Sequence, residues 1–278
     1  EDWPLWNDRK IGVRVRDSFG YNRTIITNSS DLSIPCNYAI GEKLEDGLLP
    51  ISTTDIKFLM DSVESSASVE LYLMLRLGFN TGMRFGSISS LRLGTVLNAS
   101  HQSSWPEYAR LTIGPGAAPA VATKYGVTGQ VFISDMDLEL IKAYCYSARR
   151  LKRAEKAERS SRDLVFLTRF GKPYGSEGSD FSQAITVELS RLRARAAKIG
   201  LNCFQGFHFH QTRCTFATEL AKAALPFGVG FALQLVKEAL LHKNESTSLR
   251  YIKFVEKDAV MTKVSNEFSL KMLYGRDG

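Results

Sequence analysis

Apolar positions recur every three to four residues over 54–65 and again over 67–80, which predicts two consecutive amphipathic helices. Ser52, Thr53, Thr54 and Asp55 open the first in the manner of a capping box, with Asp in place of the usual Glu. A short helix is expected over about 86–92. The period then changes. Tyr108–Ile113, Ala118–Thr123 and Gln130–Ile133 are short and β-prone, and Gly114, Pro115, Gly116, Gly126 and Gly129 separate them, so a small antiparallel sheet is predicted. Helical spacing resumes at Asp135 and runs into Ala148–Arg159, where alternating basic and acidic residues read as a solvated helix end or loop. A strand-like buried run, Leu164–Leu167, precedes a turn region containing Gly171, Pro173, Gly175 and Gly178. Helices follow at roughly 179–199, 210–224, 230–241 and 246–255, with a last amphipathic segment at 264–273. The expected fold is mainly α with a small antiparallel β-sheet, an α+β arrangement.

Residues 1–48 do not share this pattern. Short β-prone runs, Arg23–Thr27 and Asp31–Ile34, lie between Gly, Asn, Ser and Pro, giving a strand- and loop-rich leader too small to hold a core alone. Of the 278 residues, 44% are hydrophobic and 23% charged, a globular balance that argues against disorder. The 36 Lys and Arg against 29 Asp and Glu leave a formal charge of +7, which favours a polyanionic partner without identifying one. Cys36, Cys145, Cys203 and Cys214 are scattered and form no C-x-x-C pair, and the amino end has no signal-peptide pattern. They read as reduced, mostly buried thiols of an intracellular protein. The apolar run Leu71–Phe79 is too short to cross a membrane and contains Arg76, so a soluble protein is expected.

Four short segments carry the candidate chemistry. Arg84 follows Thr81, Gly82 and Met83 at a turn; Lys124 precedes a Gly-containing hairpin turn; His210 and Arg213 stand three apart at a helix start; and His242 is followed nine residues later by Tyr251. Each has a plain structural explanation when taken singly. An arginine at a turn caps or pairs, a lysine on a hairpin is solvated, and a tyrosine in a helix is core. His208 and His210 could suggest a metal pair, but no nearby Cys or acidic residue completes a zinc pattern, so His208 reads as structural and no metal is expected.

In combination and in this order, the segments resemble the tyrosine recombinases, the phage-type integrases, over about residues 50–255. The resemblance implies a tyrosine recombinase catalytic-domain-like fold over 49–258. It implies a tail helix over 259–278 that docks either on its own domain or on a neighbouring protomer. The leader over 1–48 would then be the end of a larger amino-terminal DNA-binding region or the mark of an atypical member. The implied partners are double-stranded DNA and further copies of the chain, a tetramer on paired sites, in a bacterial or phage-infected cytoplasm.

The residue types suit that reaction. Transesterification at a phosphodiester builds negative charge on the non-bridging oxygens, and guanidinium forks match it with paired, charge-assisted hydrogen bonds. Arg84 and Arg213 are the expected clamp. A phenol of pKa about 10 is a poor nucleophile until a neighbour takes its proton or cations stabilise its oxyanion, and Tyr251 is the expected nucleophile. His210, on the helical face of Arg213, is placed to accept the tyrosine proton; His242 would donate to the phosphate; and Lys124, by resemblance, would protonate the departing 5′ oxygen. The product would be a 3′-phosphotyrosyl link that rejoins without a cofactor. The alternatives are a type IB topoisomerase-like nicking-closing enzyme and a DNA-binding relative that no longer cuts.

The sequence departs from the family pattern at three places. Ser87 stands where an acidic residue is usual, Leu241 where Gly precedes the second His, and the stretch from Arg213 to His242 is long, with 225–230 as the expected insertion. Tyr274 is a second tyrosine in the tail, but no His precedes it at a comparable spacing.

Overall fold

The computed structural model describes residues 8–16, 22–30, 44–102, 105–176, 178–198, 204 and 206–274. The chain forms two compact units, Leu48–Val255 and a smaller one combining Glu1–Gly47 with Glu256–Gly278. In the smaller unit β1 (Asp8–Arg16) and β2 (Asn22–Ser30) pair antiparallel, with Asp8 opposite Ser30 and Arg16 opposite Asn22. The run expected at Arg23–Thr27 lies within β2, and that at Asp31–Ile34 lies outside the described residues.

The larger unit runs through α1 (Thr53–Ser66), α2 (Val69–Thr81), α3 (Phe85–Ser89) and α4 (Leu93–Leu97) into β3 (Ser100–Gln102), β4 (Trp105–Ile113) and β5 (Gly129–Ser134). It continues through α5 (Asp135–Cys145), α6 (Ala148–Lys156), α7 (Gln183–Lys198), α8 (Gln211–Ala224) and α9 (Val229–Ala239), and α10 (Glu245–Tyr274) starts in it. Ser52 caps α1, its Oγ accepting from Asp55 N at 3.1 Å, as the sequence predicts. The core helix is α2, in which Leu71, Leu73, Met74, Leu75 and Leu77 are all buried and which packs on α8 and β5. The sheet has the order β3-β4-β5, antiparallel, with Tyr108 opposite Ser134 and Ile113 opposite Gly129. Its inner face presents Ala109, Leu111, Ile113, Val131 and Ile133 to the core, while Tyr108 is exposed.

Several expectations change. Ala118–Thr123 forms no strand beyond a single bridge between Val121 and Gly114, because Pro115 and Pro119 have no N–H to give to a ladder; the third strand is β3. The helix expected over 86–92 stops at Ser89, and Arg92 instead bridges Leu164, with Val165 N donating to Leu91 O at 2.8 Å. The segments at 246–255 and 264–273 belong to one helix, α10, which no Gly or Pro interrupts.

The charged run of α6 is the largest correction, since Arg150 and Arg153 are buried rather than solvated. Arg150 donates to the carbonyls of Arg162 and Leu164, and Arg153 to that of Leu167, so guanidinium groups hold the strand-like run in addition to its backbone bridge to Arg92. Both α6 and α2 meet at Glu70, a fully buried carboxylate. It accepts from Arg149 Nε (2.8 Å), Arg149 Nη2 (3.0 Å) and Tyr144 Oη (2.8 Å), and pairs with Arg153 Nη1 at 2.9 Å. Burial alone would push its carboxyl up, but the hydrogen bonds from Arg149 and Tyr144 and the charge of Arg153 hold it below its ordinary value.

A local strain and its relief sit at the end of α9. Leu241 has a φ of 52°, in the left-handed region that favours glycine. Its side chain lies over Gly129, where an added Cβ would come within 2.4 Å of Leu241 Cδ2. The leucine is accommodated because β5 starts with a residue that has no side chain. Among the described residues no helix is long and apolar enough to cross a membrane.

Two outcomes follow from this packing. Glu70→Gln will lower unfolding stability at neutral pH by about 3 kcal/mol, measured by urea titration, because two guanidinium groups lose their counter-charge. A carboxyl held below 4.5 contributes its full stability above that pH and loses it as pH falls through the folded value, so the gap between the wild type and the Gln variant will be constant above pH 4.5 and narrow progressively as the pH is lowered from there. Gly129→Ala will cost about 1–3 kcal/mol through collision with Leu241, and Leu241→Gly in the same chain will recover part of it. Strictly additive effects in the double variant would show that the contact carries no coupling.

Candidate active site

Gly82 ends α2 with a φ of 67°, its N–H donating to Gly78 O at 3.1 Å. A Cβ here would lie 2.4 Å from Phe216 Cδ1 and 2.6 Å from Leu240 Cδ2, so the left-handed turn and the close packing both require glycine. The turn delivers Arg84 as the residue preceding α3, half-buried and extended, with its carbonyl accepting from Ser87 N and Ile88 N at 3.0 Å. Ser87 is buried on the first turn of α3. A carboxylate does reach this helix start from another segment, since Asp180 Oδ1 accepts from Gly86 N at 2.9 Å.

Arg213, in the first turn of α8, is 3% exposed. Its Nη1 donates to Gly82 O at 2.7 Å and its Nη2 to Leu240 O at 2.9 Å, so one guanidinium joins the turn before Arg84 to the end of α9. Lys124 begins a one-turn 3-10 segment, Lys124–Gly126, in which Tyr125 and Gly126 both have positive φ. It is exposed, with its Nζ 5.6 Å from the centre of the Tyr125 ring. Arg84, Lys124 and Arg213 line one small cleft together with Gly82, Ser87 and Leu240, and no carboxylate is among the lining residues. A cleft lined by three cationic side chains suits an anion.

His210 immediately precedes α8, half-buried, its carbonyl accepting from Arg213 N and Cys214 N at 3.1 and 3.2 Å. His242 is buried two residues beyond Leu240, its Nδ1 2.8 Å from Ser248 Oγ. Its ring lies nearly parallel to that of Tyr251, 13° between planes and 6.1 Å between centres. Tyr251, on α10, is fully buried, and its hydroxyl lies 3.9 Å from Cys214 Sγ. Arg213 and Cys214 are consecutive, so α8 turns one residue to the cleft and the next to the phenol. Neither His242 nor Tyr251 is among the residues lining the cleft. The structure thus gathers Arg84, Lys124 and Arg213 in one place and packs His242 and Tyr251 as a buried pair beside it. His208, read as structural, is exposed, and burial followed by the charge of Arg193 lowers its pKa.

Sequence reasoning missed Ser248 and the contact of Cys214 with the phenol. The signal for each was its position, three residues before Tyr251 in a helix and next to Arg213. It also missed a groove of about 910 Å³ whose walls carry Arg149, Arg153, Arg169, Lys172, Arg191 and Arg195. The segment leading out of this groove packs on α3, where a Cβ at Gly175 would stand 3.7 Å from Phe85 Cε1.

No curated protein matches the chain. Among solved structures, the XerH site-specific recombinase bound to a palindromic difH substrate is similar at 19% identity, with a TM-score of 0.52 over 78% of this chain and 52% of that one. The Tn1549 transposon integrase in complex with circular intermediate DNA is similar at 14% identity, with a TM-score of 0.51 over 78% of this chain and 67% of that one. The chain spans about half the length of the XerH protein, and identities this low speak to the fold: a mostly helical domain with a small antiparallel sheet. A model of the Phage integrase family matches residues 51–257, three quarters of the sequence and the whole span from α1 to Tyr251, and the chain belongs to that family.

Proposed function

We propose that this protein is a site-specific recombinase that cuts and rejoins duplex DNA through a phosphotyrosine on Tyr251. The observation that carries the reading is the cleft lined by Arg84, Lys124 and Arg213 without a carboxylate, with the His242–Tyr251 pair packed beside it. Arg84 and Arg213 hold the non-bridging oxygens of the scissile phosphate, and His242 adds a further donor. The Tyr251 oxygen attacks phosphorus, its proton passes to His210, and the bond from phosphorus to the 5′ oxygen breaks. Lys124 protonates that oxygen. Attack by the 5′ hydroxyl of another strand reverses each step and restores the phenol, and the phosphotyrosyl bond conserves the energy needed for rejoining.

Duplex DNA is the substrate that suits a basic chain with a second basic groove beyond the cleft. The neighbours of similar fold are DNA complexes, and the phage-integrase match favours strand exchange over a nicking-closing activity. Residues 49–258 act as the catalytic domain and 259–278 as a tail that docks on a neighbouring protomer of a tetramer on paired sites, in a bacterial or phage-infected cytoplasm.

The test is a library of nicked duplexes of random sequence incubated with the full 278-residue chain, followed by isolation and sequencing of DNA bound covalently to protein. Wild type will trap a defined sequence and Tyr251→Phe will trap none. An adduct on the Phe variant, or none with wild type, would remove Tyr251 from the role. Arg84→Ala will slow adduct formation by about 10²–10³-fold with little change in unfolding midpoint, whereas Arg213→Ala will lose both, because Arg213 also joins two helix ends. A wild-type rate in Arg84→Ala would exclude that arginine from the clamp.

A further inference from the structure

We infer that Ser248 is a positioning residue that fixes the tautomer and orientation of His242 and links both to the helix carrying Tyr251. The inference rests on the role proposed for His242. A neutral imidazole has one N–H, and the bond made by one ring nitrogen decides which nitrogen carries it. Ser248 Oγ lies 2.8 Å from His242 Nδ1, with the serine fully buried and the histidine 7% exposed, so water does not compete for this contact. When the serine hydroxyl donates to Nδ1, the ring proton sits on Nε2, and the far edge of the imidazole can donate to a phosphate oxygen. With the proton on Nδ1, Nε2 would meet an anion with a lone pair. A hydroxyl can take either role, but an alanine supports neither.

The second observation is where the hydroxyl sits. Ser248 precedes Tyr251 by three residues in α10, so the two side chains share one helix face. That face meets the same imidazole twice, once through the hydroxyl at Nδ1 and once through the phenol ring stacked at 13°. The backbone of His242 is fixed separately, its N–H donating to Lys237 O at 3.0 Å after the left-handed Leu241. The ring's remaining freedom is rotation about its own side-chain bonds, and α10 restrains that rotation. A shift of α10 that carries Tyr251 therefore carries the group that sets the His242 proton.

The experiment uses the full chain with ¹⁵N-labelled histidine. Long-range ¹H–¹⁵N spectra distinguish the two tautomers, and the His242 signals are assigned by their loss in His242→Gln. Wild type and Ser248→Thr will show the Nε2–H form, and Ser248→Ala will show shifts averaged between tautomers. On the trapped sequence, Ser248→Ala will slow adduct formation at least about tenfold, the scale of losing a group that orients a working side chain, and Ser248→Thr will restore most of it. In a His242→Ala background Ser248→Ala will have no further effect. A single Nε2–H tautomer in Ser248→Ala, or an undiminished effect of that change without His242, overturns the inference. If wild type forms no adduct, the functional reading fails, and the spectra alone decide whether Ser248 sets the tautomer.

Discussion

The hydrogen bonds of the Arg213 guanidinium to Gly82 O and Leu240 O are the interaction on which the rest of the site depends. A cation that is 3% exposed is tolerable only where acceptors replace its water, and these acceptors lie just past the carboxyl ends of α2 and α9. Helix ends leave carbonyls without intrahelical partners and carry partial negative charge, so the two helices together form a natural seat for a cation. One side chain therefore satisfies two helix ends and sets their spacing. Arg84 leaves the first of them through Gly82, and His242 leaves the second through Leu241. Arg84 and His242 are thus placed through one guanidinium, which itself lines the cleft.

A second buried ionic group works differently. Glu70 gathers Arg149, Arg153 and Tyr144, fastening α6 to α2, and the guanidinium groups it orients also form one wall of the large basic groove. Its charge has a chemical consequence for nearby phenols. Burial and then the Glu70 carboxylate push Tyr174 up to about 12 and move Tyr144 in the same direction, so both remain protonated. Burial first, and the carboxylate second, keep both of these phenols from ionising. Tyr251 has a thiol at its hydroxyl instead, and the cationic cleft lies beyond it.

The helices were legible because their apolar spacing is long and regular, and the family because the order of the candidate residues is specific to it. What was not legible depends on contacts between distant segments. The buried Arg150 and Arg153 belong to a run that looks solvated, since carbonyls of residues 162–167 and the carboxylate of Glu70 make that burial tolerable, and no local pattern reveals them. The run Ala118–Thr123 has β-prone residues, yet Pro119 within it and Pro115 just before it withhold donors a ladder needs. Leu241 is visible in sequence as a departure from glycine. Its positive φ shows why glycine suits that position, and the missing side chain of Gly129 shows how leucine is tolerated there.

The burial of Tyr251 sets an energetic condition on the proposed chemistry. A tyrosine removed from such a site exposes about 150–250 Å² of surface, worth about 4–6 kcal/mol at roughly 25 cal/mol per Å². Full exposure of the ring without compensation would leave the reactive state populated at about one part in a thousand or less. DNA need not supply all of this energy if the phosphate can be brought toward the pair. Along α8 the residue against the phenol, Cys214, directly follows the arginine that lines the cleft. A small rotation of α10 that moves the hydroxyl past this sulfur would keep most of the ring buried, and it would have to move Ser248 as well.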